Sequence, residues 1–203
     1  ITEEKEAEEA LRKSKERLQG GLNVANVALA EINYHTGLAT LSPEAALMYG
    51  LPADNLTVTR KQLHATFHPD CKQEVEKFIA QVIKPEGNGL MEVEHQIILP
   101  GGEVRWLKIN KQFFFDRTVQ PAKPLYSILA AQDITAKKEA EEKIKESVAK
   151  FRTLSETIPI MVWTADPDGK KNFFNQYFLS YTGLSFEELK SDGMLEIIFP
   201  DEL

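Results

Sequence analysis

The chain has 203 residues, 42% hydrophobic and 27% charged, and 24 Lys plus Arg against 31 Asp plus Glu give a net charge of −7. This balance is ordinary for a globular protein, and the acid excess excludes a general nucleic-acid surface, which needs clustered Lys and Arg. The lone Cys71 excludes an internal disulfide framework; with no signal-peptide pattern and no apolar run near the roughly 20 residues that span a bilayer, the expected setting is the cytoplasm, whatever membrane spans a parent chain carries elsewhere.

The opening segment, ITEEKEAEEALRKSKERL, is rich in mixed charge, with Leu11, Leu18, Leu22 and Ala25 at three–four spacing. That spacing lays them on one stripe, as a coiled coil requires, so residues 1–22 are expected to form a connector helix. A single amphipathic helix packed on its own domain is the alternative. VALAEINY (27–34) and LATLS (38–42) then read as short strands around His35-Thr36-Gly37. Pro43 opens a short helix that Gly50 ends. After a loop and a weak helical turn, residues 69–84 place Val75, Phe78, Ile79, Val82 and Ile83 on one helical stripe. LMEVEHQIIL (90–99) and EVRWLKINKQFFF (103–115), split by Pro100-Gly101-Gly102, predict an antiparallel hairpin. LYSILAAQDIT (125–135) supplies the last strand and runs straight into a second charged helix, whose Ile144, Val148, Phe151 and Ile158 repeat the seam spacing. The expectation is an α+β fold, a five-stranded antiparallel sheet with helices on one face, flanked by coiled-coil connector helices.

The chain also repeats itself. A step of 133 sets Ile1, Thr2, Glu6 and Ala7 on Ile134, Thr135, Glu139 and Ala140. Charge-rich helices resemble each other cheaply, but the same step sets ALAEIN (28–33) on MVWTAD (161–166) and Gly50-Leu51 on Gly183-Leu184. FHPD (67–70) answers IFPD (198–201) with a shift of two residues. The expected organisation is a connector helix (1–22), a whole module (23–135), a second connector (136–152) and the first part of another module (153–203).

Several of these stretches, in order, resemble PAS sensory domains with the C-terminal PAC motif, as found in bacterial sensor histidine kinases. They are RLQGGLNVANVALAEINYHTGLATLSPEAALMYGL, FHPD before a helix, EHQIILPGGEVRWLKIN, and AAQDITAKKEAE. SETIPIMVWTADPDGKKNFFNQYFLSYTGLSFEEL resembles the opening of a second PAS module, left incomplete at Leu203. AAQDIT departs from the family by lacking the Gly often found before the Asp. The resemblance implies a tandem array in a parent of at least three modules, Ile1-Thr2 being the tail of a preceding Asp-Ile-Thr. It further implies a non-catalytic sensory and dimerisation role, with paired helices leading to a kinase or other output domain. A diguanylate cyclase parent, a chemoreceptor parent and a ligand-free spacer are the alternatives.

No constellation for catalysis or metal binding is present: the contexts His35-Thr, His64-Ala, His68-Pro and His95-Gln fit no phosphoacceptor, and Gly101-Gly102 joins two strands. The PAS family binds haem, flavins or small metabolites between sheet and helices, so a small-molecule ligand is open and the cofactor unknown. Cys71, in Pro-Asp-Cys-Lys-Gln, lacks the photoactive flavin context and reads as a structural thiol. Haem on His64, His68 or His95 is disfavoured, His68 reading as the organiser of a turn. His95, Asn110 and Tyr126 are pocket candidates, polar residues among strand apolars. Asp133, Ile134 and Thr135 are the candidates for signal transmission, since they stand where a strand becomes a helix and side-chain oxygens there can cap the first N–H groups. The candidate seam of a parallel homodimer is Leu11, Leu18, Leu22, Ile144, Val148 and Phe151.

Overall fold

The computed structural model describes residues 2–84 and 88–191, and the chain forms two compact units, Ile1–Lys138 and Glu139–Leu203. In the first, helix α1 (Thr2–Val24) precedes strands β1 (Ala28–Asn33) and β2 (Leu38–Leu41), helix α2 (Pro43–Met48), strand β3 (Thr57–Thr59), and helices α3 (Arg60–Ala65) and α4 (Pro69–Val82). Strands β4 (Leu90–Ile98), β5 (Val104–Asp116) and β6 (Lys123–Asp133) complete one antiparallel sheet, ordered β3-β2-β1-β6-β5-β4. The sheet has six strands where the sequence suggested five. The addition, β3, pairs through Ala39 with Val58, its one buried residue, and three residues are too few for alternation to show.

Helix and turn boundaries follow local chemistry. Asn33 Oδ1 accepts from the N–H groups of His35 and Thr36, bending the chain so that Gly37 can take its positive φ of 72°. Ser42 caps α2, Thr59 and Gln62 form a capping box on α3, and His68 Nδ1 accepts from Asp70 N–H at the start of α4. At Gly50, φ is 71° and a Cβ would stand 2.9 Å from Pro100 Cδ, so glycine is needed for conformation and for space.

Alternation decides what fills the space between sheet and helices. Ala28, Ala30 and Ile32 of β1, Leu107 and Ile109 of β5, and Leu129 and Ala131 of β6 face inward and are buried with Ala45, Ala46 and Met48 of α2. Small side chains on β1, β6 and α2 let that helix lie close to the sheet; Leu63 of α3 and Val75 of α4 join the same core.

In the second unit, the rest of helix α5 (Thr135–Thr157) leads to strands β7 (Trp163–Ala165) and β8 (Lys171–Phe174), then helices α6 (Gln176–Thr182) and α7 (Phe186–Lys190). Phe174, Phe178 and Leu189 form its core. Asn175, wholly buried, donates to the carbonyls of Ser155 and Ile160 and accepts from Val162 and Phe178 N–H. The sequence period persists in these local contacts. Helices α1 and α5 match end for end at a step of 133, as do β2 and β8. Ser42 Oγ accepts from Leu29 and Ala45, and Asn175 Oδ1 accepts from Val162 and Phe178, again 133 positions on. The paired segment 198–201 lies outside the described residues.

Candidate functional site

The last strand hands over to α5 through one residue. Ile134 is buried, its N–H donates to Trp106 O at 2.9 Å, and its carbonyl accepts the first helical bond, from Lys138 N–H at 3.0 Å. Asp133 Oδ1 accepts from Thr135 N–H at 2.9 Å, which caps the helix start. The Thr135 hydroxyl oxygen instead accepts from Trp106 N–H of β5 at 3.0 Å, so it ties the first helical turn to the neighbouring strand. Arg105, beside Trp106, brings its Nε within 3.9 Å of Asp133 Oδ2 and 2.8 Å of Glu103 Oε1. Its Nη1 donates to the carbonyls of Leu47 and Met48, at the C-terminal end of α2, where a cation is favoured. The Lys138 ammonium pairs with Glu94 at 2.7 Å and lies 5.2 Å from the Trp106 ring, holding the Glu94 carboxyl below its usual range. A helix α2, two strands and the root of α5 thus meet at Arg105 and Trp106.

The three pocket candidates do not share a cavity. His95 lies on the inward side of β4 and is buried; Asn110 is exposed on the outward side of β5, and Tyr126, half-buried, stacks on Phe114 at 4.5 Å. The grouping fails on strand parity, because Leu107, Ile109 and Lys111 fill the inward positions of β5 and Asn110 lies between them.

An inward cavity of about 30 Å³ is lined by His64, His95, Lys111 and Tyr49 among apolar side chains. Burial, with His64 nearby, lowers His95 to about 4; burial, with Lys111 and Arg60 nearby, does the same to His64. Burial and then Arg60 pull the Lys111 ammonium down to about 7, and burial pushes the Tyr49 hydroxyl up to about 12. Lys111, Tyr49 and Arg105 are additions to the sequence candidates. The run Leu107, Ile109, Lys111, Phe113 carried the signal for Lys111, a lysine in the inward register of a buried strand.

The seam residues Leu11, Leu18, Ile144 and Val148 are exposed, Leu22 is half-buried, and Phe151 meets the Phe173 ring at 5.4 Å. Cys71 is half-buried, its thiol against the carbonyls of His68 and Gln96. No group of three or more His, Cys, Asp or Glu suited to a metal occurs among the described residues, and no described helix is long and apolar enough to cross a membrane.

Residues 38–125 match the PAS fold family. The uncharacterized protein y4lL of Sinorhizobium fredii (strain NBRC 101917 / NGR234) is 26% identical over 135 residues, which is 66% of this chain and 16% of that protein, so the chain spans about a sixth of that relative's length. A sensory box histidine kinase/response regulator structure from Burkholderia thailandensis E264 is 22% identical, with a TM-score of 0.56, covering 68% of this chain and 98% of that one. The N-terminal domain of a diguanylate cyclase with PAS/PAC sensor from Marinobacter aquaeolei is 15% identical, with a TM-score of 0.47, covering 55% and 97%. The six-stranded antiparallel sheet, with helices packed on its inward face, and the match over residues 38–125 give the first unit an α+β PAS fold.

Proposed function

We propose that the chain is a sensory segment of a larger signalling protein, with a histidine kinase the preferred parent, and that α5 carries conformational change from the PAS sheet toward an output domain. The junction at Ile134 is the observation that carries this reading. A strand passes into a helix through one buried residue, held by hydrogen bonds from β5 and by the Asp133 cap, so strain in the sheet has a short mechanical path into the helix.

The relay works in a parallel homodimer. Leu11 and Leu18 on α1, and Ile144 and Val148 on α5, stand exposed at coiled-coil spacing, a stripe that a second copy would cover. The second unit is read as the opening of a further PAS module, because its elements and the Asn175 cap reproduce those of the first at a constant step. The test is sedimentation of Ile144→Glu/Val148→Glu, chosen to spare Phe151, which packs on Phe173. Association is expected to weaken by about tenfold or more while the far-UV strand signal persists; unchanged association would remove the dimeric relay.

A further inference from the structure

Helix α5 is held to the sheet on two different strands. Its root is at β5, where Ile134 N–H and the Thr135 hydroxyl oxygen meet the Trp106 backbone. One turn into the helix, the Lys138 ammonium reaches β4 and bonds Glu94 Oε2 at 2.7 Å, while lying 5.2 Å from the Trp106 ring centre. Register explains the reach. Trp106 pairs with Gln96 and Lys108 with Glu94, so Trp106 and Glu94 are diagonal neighbours on the outward side of the hairpin. A helix held at one point can swing about it. A second anchor, on a second strand, fixes where it points.

The surroundings make this contact directional. Glu94 lies near Lys137 and Lys108 as well, but Lys108 gives its ammonium to Glu92 at 2.7 Å, and the hydrogen bond to Glu94 comes from Lys138. The side chains of Lys138 and Glu94 are 30% and 36% exposed, so the pair adds little to the stability of the fold. Its effect is on orientation. The same cation takes the face of Trp106, and a swing of the helix breaks both contacts together.

Strand β4 is the edge of the sheet. Along one side β5 bonds it throughout; on the other, among the described residues, backbone bonds with His68 and Thr66 reach it only at Gln96 and Ile98. Glu94 stands just past that stitched stretch. Its neighbour His95 faces inward and is buried, as are Met91 and Ile97. A shift of β4 felt from inside the fold therefore moves Glu94 on the outside.

We propose that Lys138 is a positioning residue that sets the bearing of α5 through Glu94, so that β4 steers the helix along a route separate from the Asp133 cap. The assignment rests on the relay reading only for its meaning in signalling. Because both partners are half in water, added salt screens their attraction and loosens the bearing, while the root at Ile134, buried and uncharged, holds. Ionic strength is thus an input that the helix feels.

The test uses the 203-residue chain in a Cys71→Ala background, with nitroxide labels at Gln112→Cys on the outward side of β5 and Lys150→Cys on α5. An excess of unlabelled chain restricts pulsed electron resonance to one intramolecular distance distribution. Lys138→Met and Glu94→Gln each widen that distribution about twofold or more, and Lys138→Arg keeps it close to wild type. Glu92→Gln, which removes the neighbouring pair with Lys108, leaves the width unchanged. Raising sodium chloride from about 0.05 M to about 1 M, where the screening length is roughly 3 Å, widens the wild-type distribution and adds nothing in Lys138→Met. Far-UV circular dichroism checks that each variant keeps its fold, and the wild-type salt response needs no substitution at the pair. A Lys138→Met width equal to wild type overturns the proposal. So does equal widening by Glu92→Gln, and so does a salt response that Lys138→Met keeps in full. Because the distance is read within one chain, its failure leaves the paired-helix relay standing, and unchanged association of the seam variant leaves the Lys138 anchor standing.

Discussion

His95, His64 and Lys111 all hold a proton less well in the fold than in the unfolded chain, with burial the largest cause for each. Between about 4 and 6.5 the unfolded state binds the histidine protons and the folded state does not, so stability rises with pH through that window. Lys111 repeats the logic between about 7 and 10.5, and stability rises again. Tyr49 has the opposite sign. Its folded value of about 12 exceeds the ordinary 10.0, so stability falls as pH rises above 10, where the unfolded tyrosine ionises and the buried one does not. The free energy of unfolding in urea is therefore expected to peak on the alkaline side of neutral. Lys111→Met should abolish the rise above 7, and a wild-type profile flat from 7 to 10 would contradict a buried ammonium at Lys111. The sequence held His95 in view but paired it with Asn110 and Tyr126. Parity separates them: His95 pairs with Leu107, and Asn110 with Ala130, on alternate sides of the sheet. Which parity faces the helices depends on register, and polar residues do not announce it.

Elements were legible where their signal is periodic or punctuated. The β4–β5 hairpin, α4 behind Pro69, and both long helices follow from alternation, a proline at the first turn and three–four spacing. Strand β3 was not, since a single buried Val58 makes no pattern and its pairing with β2 is tertiary. The junction was half legible. Asp133 caps α5, as its position suggests, but the hydroxyl of Thr135 serves Trp106 on another strand, a partner fixed only when β5 and β6 align. Thr135→Ala should therefore cost about 1 kcal/mol in chemical denaturation, with Thr135→Ser close to wild type. An equal loss in both would mean the methyl group, and not the hydroxyl, holds the junction. At Gly50, alanine meets both positive φ and Pro100 Cδ at 2.9 Å, so Gly50→Ala should cost more than a glycine in open loop, such as Gly101.

The two tryptophans report the two units separately, Trp106 in the first and Trp163 in the second. Asn175 joins four backbone groups inside the second unit, and Asn175→Ala strands them all. The expected loss is on the order of 3 kcal/mol, visible in Trp163 fluorescence with the Trp106 transition unmoved. A shift of both would show one cooperative block.

The constant step between α1 and α5 sets a rule for splicing. Thr2 and Thr135 open these helices and Val24 and Thr157 close them, 133 positions apart, so cutting out one full period joins like to like. A cut one residue longer or shorter turns everything past the splice by roughly 100° about the helix axis. Under the relay proposed above, shortened variants of a parent protein keep or lose output by phase: whole periods are tolerated, and a single stray residue is felt at the far end.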